Sequence, residues 1–134
     1  MDIKEFAEKF IEAEEDAVQR GDFNALEQIE SPDIVIHMPP APDSKGFEAH
    51  KQYIQYMVET STDLQQEWDY ITGDGNVAVV SLKQKVTYKV ENPTFKIPPG
   101  STADADALFV LRRQEGRVAE IWFKHSMEVT PPNQ

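Results

Sequence analysis

The spacing of apolar residues changes partway along the chain, from steps of three and four to steps of two. Ile3, Phe6, Phe10, Ala13 and Ala17 share one face of a helix predicted over residues 2–20. Asp2 with Glu5 forms a capping pair at its start, and Arg20 followed by Gly21 stops it. Asp22 opens a short second helix that carries Leu26 and Ile29 and ends at Pro32. Residues 33–38 read as a short strand running into Pro39, Pro40 and Pro42, which force a loop because proline offers no ladder donor. A third helix begins near Ser44 or Gly46, with Phe47, His50, Ile54 and Met57 on one face and Tyr53 beside them.

From residue 64 the period is two. Strands are predicted over 64–72, 77–90, 102–113 and 117–127. Gly73-Asp-Gly-Asn76 and Gln114-Glu-Gly116 supply the turns, and a proline-rich loop spans 91–100. Leu82, Val86, Tyr88 and Val90 fall on one side of the second of these strands, with Lys83, Lys85, Thr87 and Lys89 on the other. The tail from about residue 129 is expected to be loose. Helices first and a strand meander afterwards, with no βαβ alternation, predict one α+β domain over 1–134, its helices packed on a curved, mostly antiparallel sheet.

Composition narrows the function. Thirteen Lys and Arg stand against 24 Asp and Glu, giving a net charge of −11. That balance argues against a nucleic-acid partner or an anionic membrane surface. No run approaches the roughly 20 apolar residues of a membrane span. The chain has no cysteine, which removes disulfides, thiolate metal sites and cysteine nucleophiles. The three His have no metal-ligand spacing, so no metal or cofactor is expected. A cytoplasmic protein is the expectation.

Four stretches, in order, resemble the nuclear transport factor 2-like superfamily, in particular its SnoaL-like polyketide cyclase and ketosteroid isomerase branch. They are the N-terminal helix with Gly21-Asp22, the strand ending His37-Met38-Pro39 followed by Gly46-Phe-Glu-Ala, the Gly73–Asn76 hairpin, and Glu115-Gly-Arg-Val-Ala-Glu-Ile-Trp122. The resemblance implies a cone-shaped α+β barrel around a deep apolar pocket, usually dimeric. It implies an isomerase or cyclase that moves a proton on a hydrophobic, enolisable small molecule without a cofactor. A non-catalytic binder of such molecules on the same scaffold is the alternative.

The isomerases of this branch place an Asp base where this chain has Met38, and a thioether cannot take a proton from carbon. Met38 is therefore expected to line the pocket, with His37 at its rim or outside it. An acid on the third meander strand resembles one in the isomerase pocket, and Asp106 is the better match than Asp104. The bland reading is that both face solvent and pair across strands with Lys83, Lys85 and Lys89. His125 alternates with Ala119, Ile121, Phe123 and Met127 and should face inward. His125 as base or acid, with Asp106 as its partner or as an oxyanion donor, is the candidate catalytic pair. Tyr53, Trp68, Tyr88 and Phe109 are expected to line the cavity with Met38. Trp122 falls on the outer sheet face near Leu108 and Val110, a candidate homodimer contact. A hydrolase reading, with Asp106 beside Arg112 or Arg113, ranks last.

Overall fold

A computed structural model describes residues 1–132. Three helices and six strands follow one another as α1 (Ile3–Arg20), α2 (Asn24–Ile29), β1 (Glu30–His37), β2 (Ser44–Lys45), α3 (Phe47–Glu59), β3 (Ser61–Asp74), β4 (Val77–Tyr88), β5 (Thr102–Gln114) and β6 (Arg117–Thr130). The strands form one open sheet in the order β2-β1-β6-β5-β4-β3. β3 to β6 make an antiparallel meander, and β1 joins β6 in parallel. The expected α+β architecture, helices on one side of a curved mixed sheet, is the observed one.

Local chemistry accounts for the elements. The Asp2 carboxylate accepts the Glu5 amide at 2.8 Å and caps α1. At the other end Gly21 adopts φ 67°, the left-handed turn that releases the chain. Phe6, Ala7, Phe10, Ala13 and Ala17 are buried against Ala78, Val80, Leu111 and Ile121 of the sheet. α1 runs antiparallel along β3. A Cβ on Gly73 would stand 3.0 Å from Ile3 Cγ2, so the β3–β4 hairpin closes tightly over the start of the helix. Lys4 lies over the Tyr70 ring, and Phe10 meets Trp68 edge-on at 6.3 Å.

Several boundaries depart from expectation: α2 ends at Ile29, Ser44 and Lys45 form β2 where α3 was expected to start, and β4 ends at Tyr88. β1 begins at Glu30, three residues earlier than predicted, because its register against β6 shifts between Glu30 and Val35. That irregularity accommodates Pro32, which would otherwise break a ladder. β3 begins at Ser61, inside the polar stretch read as the end of α3. β6 runs on to Thr130, with Val129 opposite Ala103 and Thr130 opposite Thr102, so residues 129 and 130 are strand and not loose tail. Asn133 and Gln134, the end of that expected tail, lie outside the described residues.

Candidate active site

The concave face of the sheet is built in rows. Gln66, Gln84, Ala105 and Met127 stand side by side on β3, β4, β5 and β6. Trp68, Leu82, Ala107 and His125 form the next row, and Tyr70, Val80, Phe109 and Phe123 the one after. Ala103, Ala105 and Ala107 make the centre of β5 shallow, so the helices cannot fill the hollow. A cavity of about 350 Å³ remains between α1, α3, the sheet and the 90–95 segment. It lies within the size range of small-ligand sites. β6 grades from buried Ile121 through half-buried Phe123, His125 and Met127, so the cavity opens toward the end of that strand.

Six sequence-predicted site residues line this cavity: Met38, Tyr53, Trp68, Tyr88, Phe109 and His125. Trp68 and Phe109 pack at 5.1 Å, and Phe123 stacks on His125 at 5.0 Å. Phe95 of the connecting loop meets the His125 ring edge-on at 4.9 Å. Burial among these rings lowers the His125 pKa, because the cation has lost water and gained no anion.

Two expected residues lie elsewhere. Asp106 is exposed on the convex face, opposite Lys83 on β4 and Ser126 on β6. His125 pairs with Ala107, one residue away in register, and a shift of one residue sends a side chain through the sheet. The proposed Asp106–His125 pair therefore does not form. His37 is also on the convex face, stacked on Trp122 at 5.4 Å. Its Nε2 lies 2.6 Å from Glu120 and its Nδ1 3.0 Å from Asp43. The Glu120 hydrogen bond raises the His37 pKa and in return holds that of Glu120 down. The arginines of the hydrolase reading are committed too, Arg112 to Glu120 and Gln114, Arg113 to Asn76 and backbone carbonyls.

The strongest chemistry in the cavity is a group that sequence reasoning missed. Glu14 of α1 and His50 of α3 both line it, and both are buried. Behind them lies Glu30, fully buried at the start of β1. His50 Nδ1 is 2.9 Å from Glu30 Oε1, and Nε2 is 3.5 Å from Glu14 Oε1. The three form a chain, carboxyl–imidazole–carboxyl, that ends at the cavity. Burial pushes the Glu14 pKa up to about 7; the nearby His50 cation opposes the rise and Glu30 adds to it. Burial alone would lower the His50 pKa, but the Glu30 charge and hydrogen bond, with Glu14, outweigh it and bring the value to about 8. Two groups that exchange protons near neutrality thus sit in contact in an apolar cavity.

The same three residues offer ligand atoms within 4.8 Å of one another, a spacing a metal ion could use. His50, however, directs its two nitrogens at two different carboxyls, which is the geometry of a proton chain and not of ligands converging on one point. Glu30 Oε2 has no hydrogen-bond partner among the described residues. Near the chain, burial raises the Tyr53 hydroxyl pKa, and the Tyr88 and Glu14 charges raise it further. Tyr53, which lines the cavity with its ring partly exposed, therefore keeps its hydroxyl proton at neutral pH.

Signals for Glu14 and Glu30 were present. Glu14 follows Phe10 by four residues and Ala7 by seven, inside the apolar stripe of α1. Glu30 has the parity of Ile34, Ile36 and Met38 once the strand is extended back across Pro32.

A SnoaL-like domain model matches residues 7–121. Comparison with curated proteins finds no match. Among solved structures, the chain is similar to TsrD from Streptomyces laurentii, with a TM-score of 0.77, 19% identity, and 94% of this chain and 91% of that one covered. It is similar to a putative SnoaL-like polyketide cyclase from Mesorhizobium loti, with a TM-score of 0.71, 23% identity, and 92% and 99% covered. It is also similar to IdmH, a putative polyketide cyclase from Streptomyces antibioticus, with a TM-score of 0.71, 22% identity, and 90% and 91% covered. At these identities the structures establish a shared fold, and the family model runs from Ala7 in α1 to Ile121 in β6. The chain belongs to the SnoaL-like domain family.

Proposed function

We propose that the chain is an acid–base enzyme that moves a proton on a hydrophobic, enolisable small molecule, with Glu14 as the base. One observation carries this reading: a buried carboxyl with a pKa near 7 faces an apolar cavity and touches a histidine that titrates near 8. Glu14 takes a proton from the carbon beside a carbonyl, and the electron pair moves onto the carbonyl oxygen. Return of the proton at another carbon gives isomerisation, and attack of the carbanion on an internal electrophile gives ring closure. His50 adjusts the charge on Glu14, and Glu30 fixes the ring and keeps it protonated. Tyr53 donates toward developing negative charge. Met38, Trp68 and Phe109 exclude water and hold the flat substrate. No step calls for a cofactor. Polyketide cyclases among the similar folds support a proton-moving chemistry without fixing the substrate.

The test is solvent deuterium incorporation into a panel of aromatic and alicyclic ketones, followed by NMR. The wild type should accelerate exchange at the α-carbon, and Glu14→Gln should abolish the acceleration while ketone binding persists. Exchange at the wild-type rate in Glu14→Gln would overturn the assignment. Binding without exchange by the wild type would favour a carrier on the same scaffold. The reading includes a homodimer through the convex face, where Leu108 and Trp122 stand 48% and 41% exposed. Sedimentation should give a dimer that Trp122→Glu dissociates, and a wild-type monomer would refute it.

A further inference from the structure

Three polar side chains form a second hydrogen-bonded series on the sheet wall of the cavity. The Trp68 indole N–H, which can only donate, points at Gln66 Oε1 over a long 3.4 Å. Gln66 Nε2 then donates to Gln84 Oε1 at 2.7 Å. The indole thus sets the direction of both amides. With Gln66 reversed, its NH2 would face the indole N–H; with Gln84 reversed, two NH2 groups would face each other. The series therefore ends on the Gln84 NH2. No side chain or backbone oxygen of the described residues accepts from it, and Gln84 lines the cavity.

The position of this donor follows from the packing of α1 on β3. Phe10 meets Trp68. Four residues along the helix, about 6 Å, lead to Glu14; two residues along the strand in the same direction, about 7 Å, lead to Gln66. Gln84 is the cross-strand neighbour of Gln66. Glu14 and the Gln84 amide accordingly stand at one level of the cavity, on its helix wall and its sheet wall.

From this placement we infer that Gln84 is a substrate-binding residue, an acceptor-oxygen subsite that selects carbonyl compounds over hydrocarbons of the same shape. Trp68 and Gln66 are positioning residues that keep its NH2 turned into the cavity. The inference rests on the proposed function only for the identity of the reacting carbon. A carbonyl oxygen held at Gln84 presents its α-carbon across the cavity to Glu14, and the same N–H strengthens its bond as the oxygen gains charge. The substrate class narrows to flat ketones, or their enol and phenol equivalents, with the oxygen at one edge.

The test compares 1-tetralone with tetralin, two probes that differ in the carbonyl alone. Binding is measured by NMR titration, with 13C-labelled carbonyl in the ketone, on wild type, Gln84→Met and Trp68→Phe. Methionine keeps the length of the side chain and loses both donors, and phenylalanine keeps a ring against Phe109 while losing the indole N–H. The wild type should prefer tetralone by about fivefold, the worth of one neutral hydrogen bond. The bound carbonyl carbon should move downfield, and Gln84→Met should cancel both effects. Trp68→Phe should reduce both partway, since the amide series is then free to reverse. A preference and a shift that persist in Gln84→Met would overturn the inference, as would a wild type that binds the two probes equally or neither. None of these readings requires turnover. Absence of α-exchange would count against Glu14 as base and leave the binding comparison standing.

Discussion

Replacing Glu14 by Gln should change how stability depends on pH in a way that isolates this one group. The Glu14 pKa in the folded protein is about 7, raised from an ordinary 4.5 by burial. Between those values the folded chain holds a proton that the unfolded chain has lost, so stability falls as pH rises. A shift of about 2.5 units at about 1.36 kcal/mol each amounts to roughly 3 kcal/mol lost by about pH 7.5. His50 adds a second decline in the same direction. Its folded pKa of about 8 exceeds the ordinary 6.5, so its contribution is complete below 6.5 and lost as pH rises through 8. Glutamine keeps the shape of Glu14 and cannot ionise. Urea unfolding at half-unit steps from pH 4.5 to 8.5 measures the difference between the two proteins, in which the surface carboxylates cancel. Wild type should lose about 3 kcal/mol more than Glu14→Gln across pH 4.5–7.5, by the linkage above. Above that, the variant should retain a smaller decline from His50 paired with Glu30. Parallel curves would refute the reasoning, because Glu14 would then carry no excess proton in the fold.

The remaining predictions address the chain and the cavity. His50→Ala should destabilise the protein by about 3–5 kcal/mol in urea unfolding, because it strands two carboxyls behind α3; a cost below about 1 kcal/mol would contradict the buried pairing. Ala105→Leu should abolish ketone binding while changing stability by less than about 1.5 kcal/mol, since the side chain enters existing space; unimpaired binding would place the ligand elsewhere. In an NMR titration of the three imidazoles, His50 should titrate near 8, His37 above 6.5, and His125 below 6.5. Glu120→Gln should bring His37 down and leave His125 unmoved.

The fold was legible because every element but the two-residue β2 carried its own local signal. The three- and four-residue steps of α1, the Gly73–Asn76 turn and the strict alternation of β4 and β6 needed no partner to be read. Alternation set Tyr88 and His125 on apolar faces and the resemblance set Met38 inward, and all three line the cavity. Asp106 failed on parity, which the sequence sets only relative to neighbours. Its resemblance to a pocket acid pulled it inward, while the lysines opposite on β4 belonged to the solvent face. The acid–base chain was hidden for other reasons. Glu14 sits in an acidic run, Glu12-Ala-Glu-Glu-Asp16, where one inward carboxyl looks like its solvated neighbours. Glu30 was obscured by Pro32, which marks a strand start in sequence and a register irregularity in the structure. His50 stands in the sequence only as one member of the apolar face of α3, and its partners appear only when α1, α3 and β1 converge.

The measurement that bears most directly on the central claim is a 13C NMR titration of the glutamate side-chain carboxyls in the wild type, assigned through Glu14→Gln. The Glu14 carboxyl should titrate with its midpoint near pH 7 and show a second inflection as His50 titrates near 8. A Glu14 midpoint in the ordinary carboxylate range, about 4 to 5, would contradict the claim. The cavity would then hold no base matched to neutral pH.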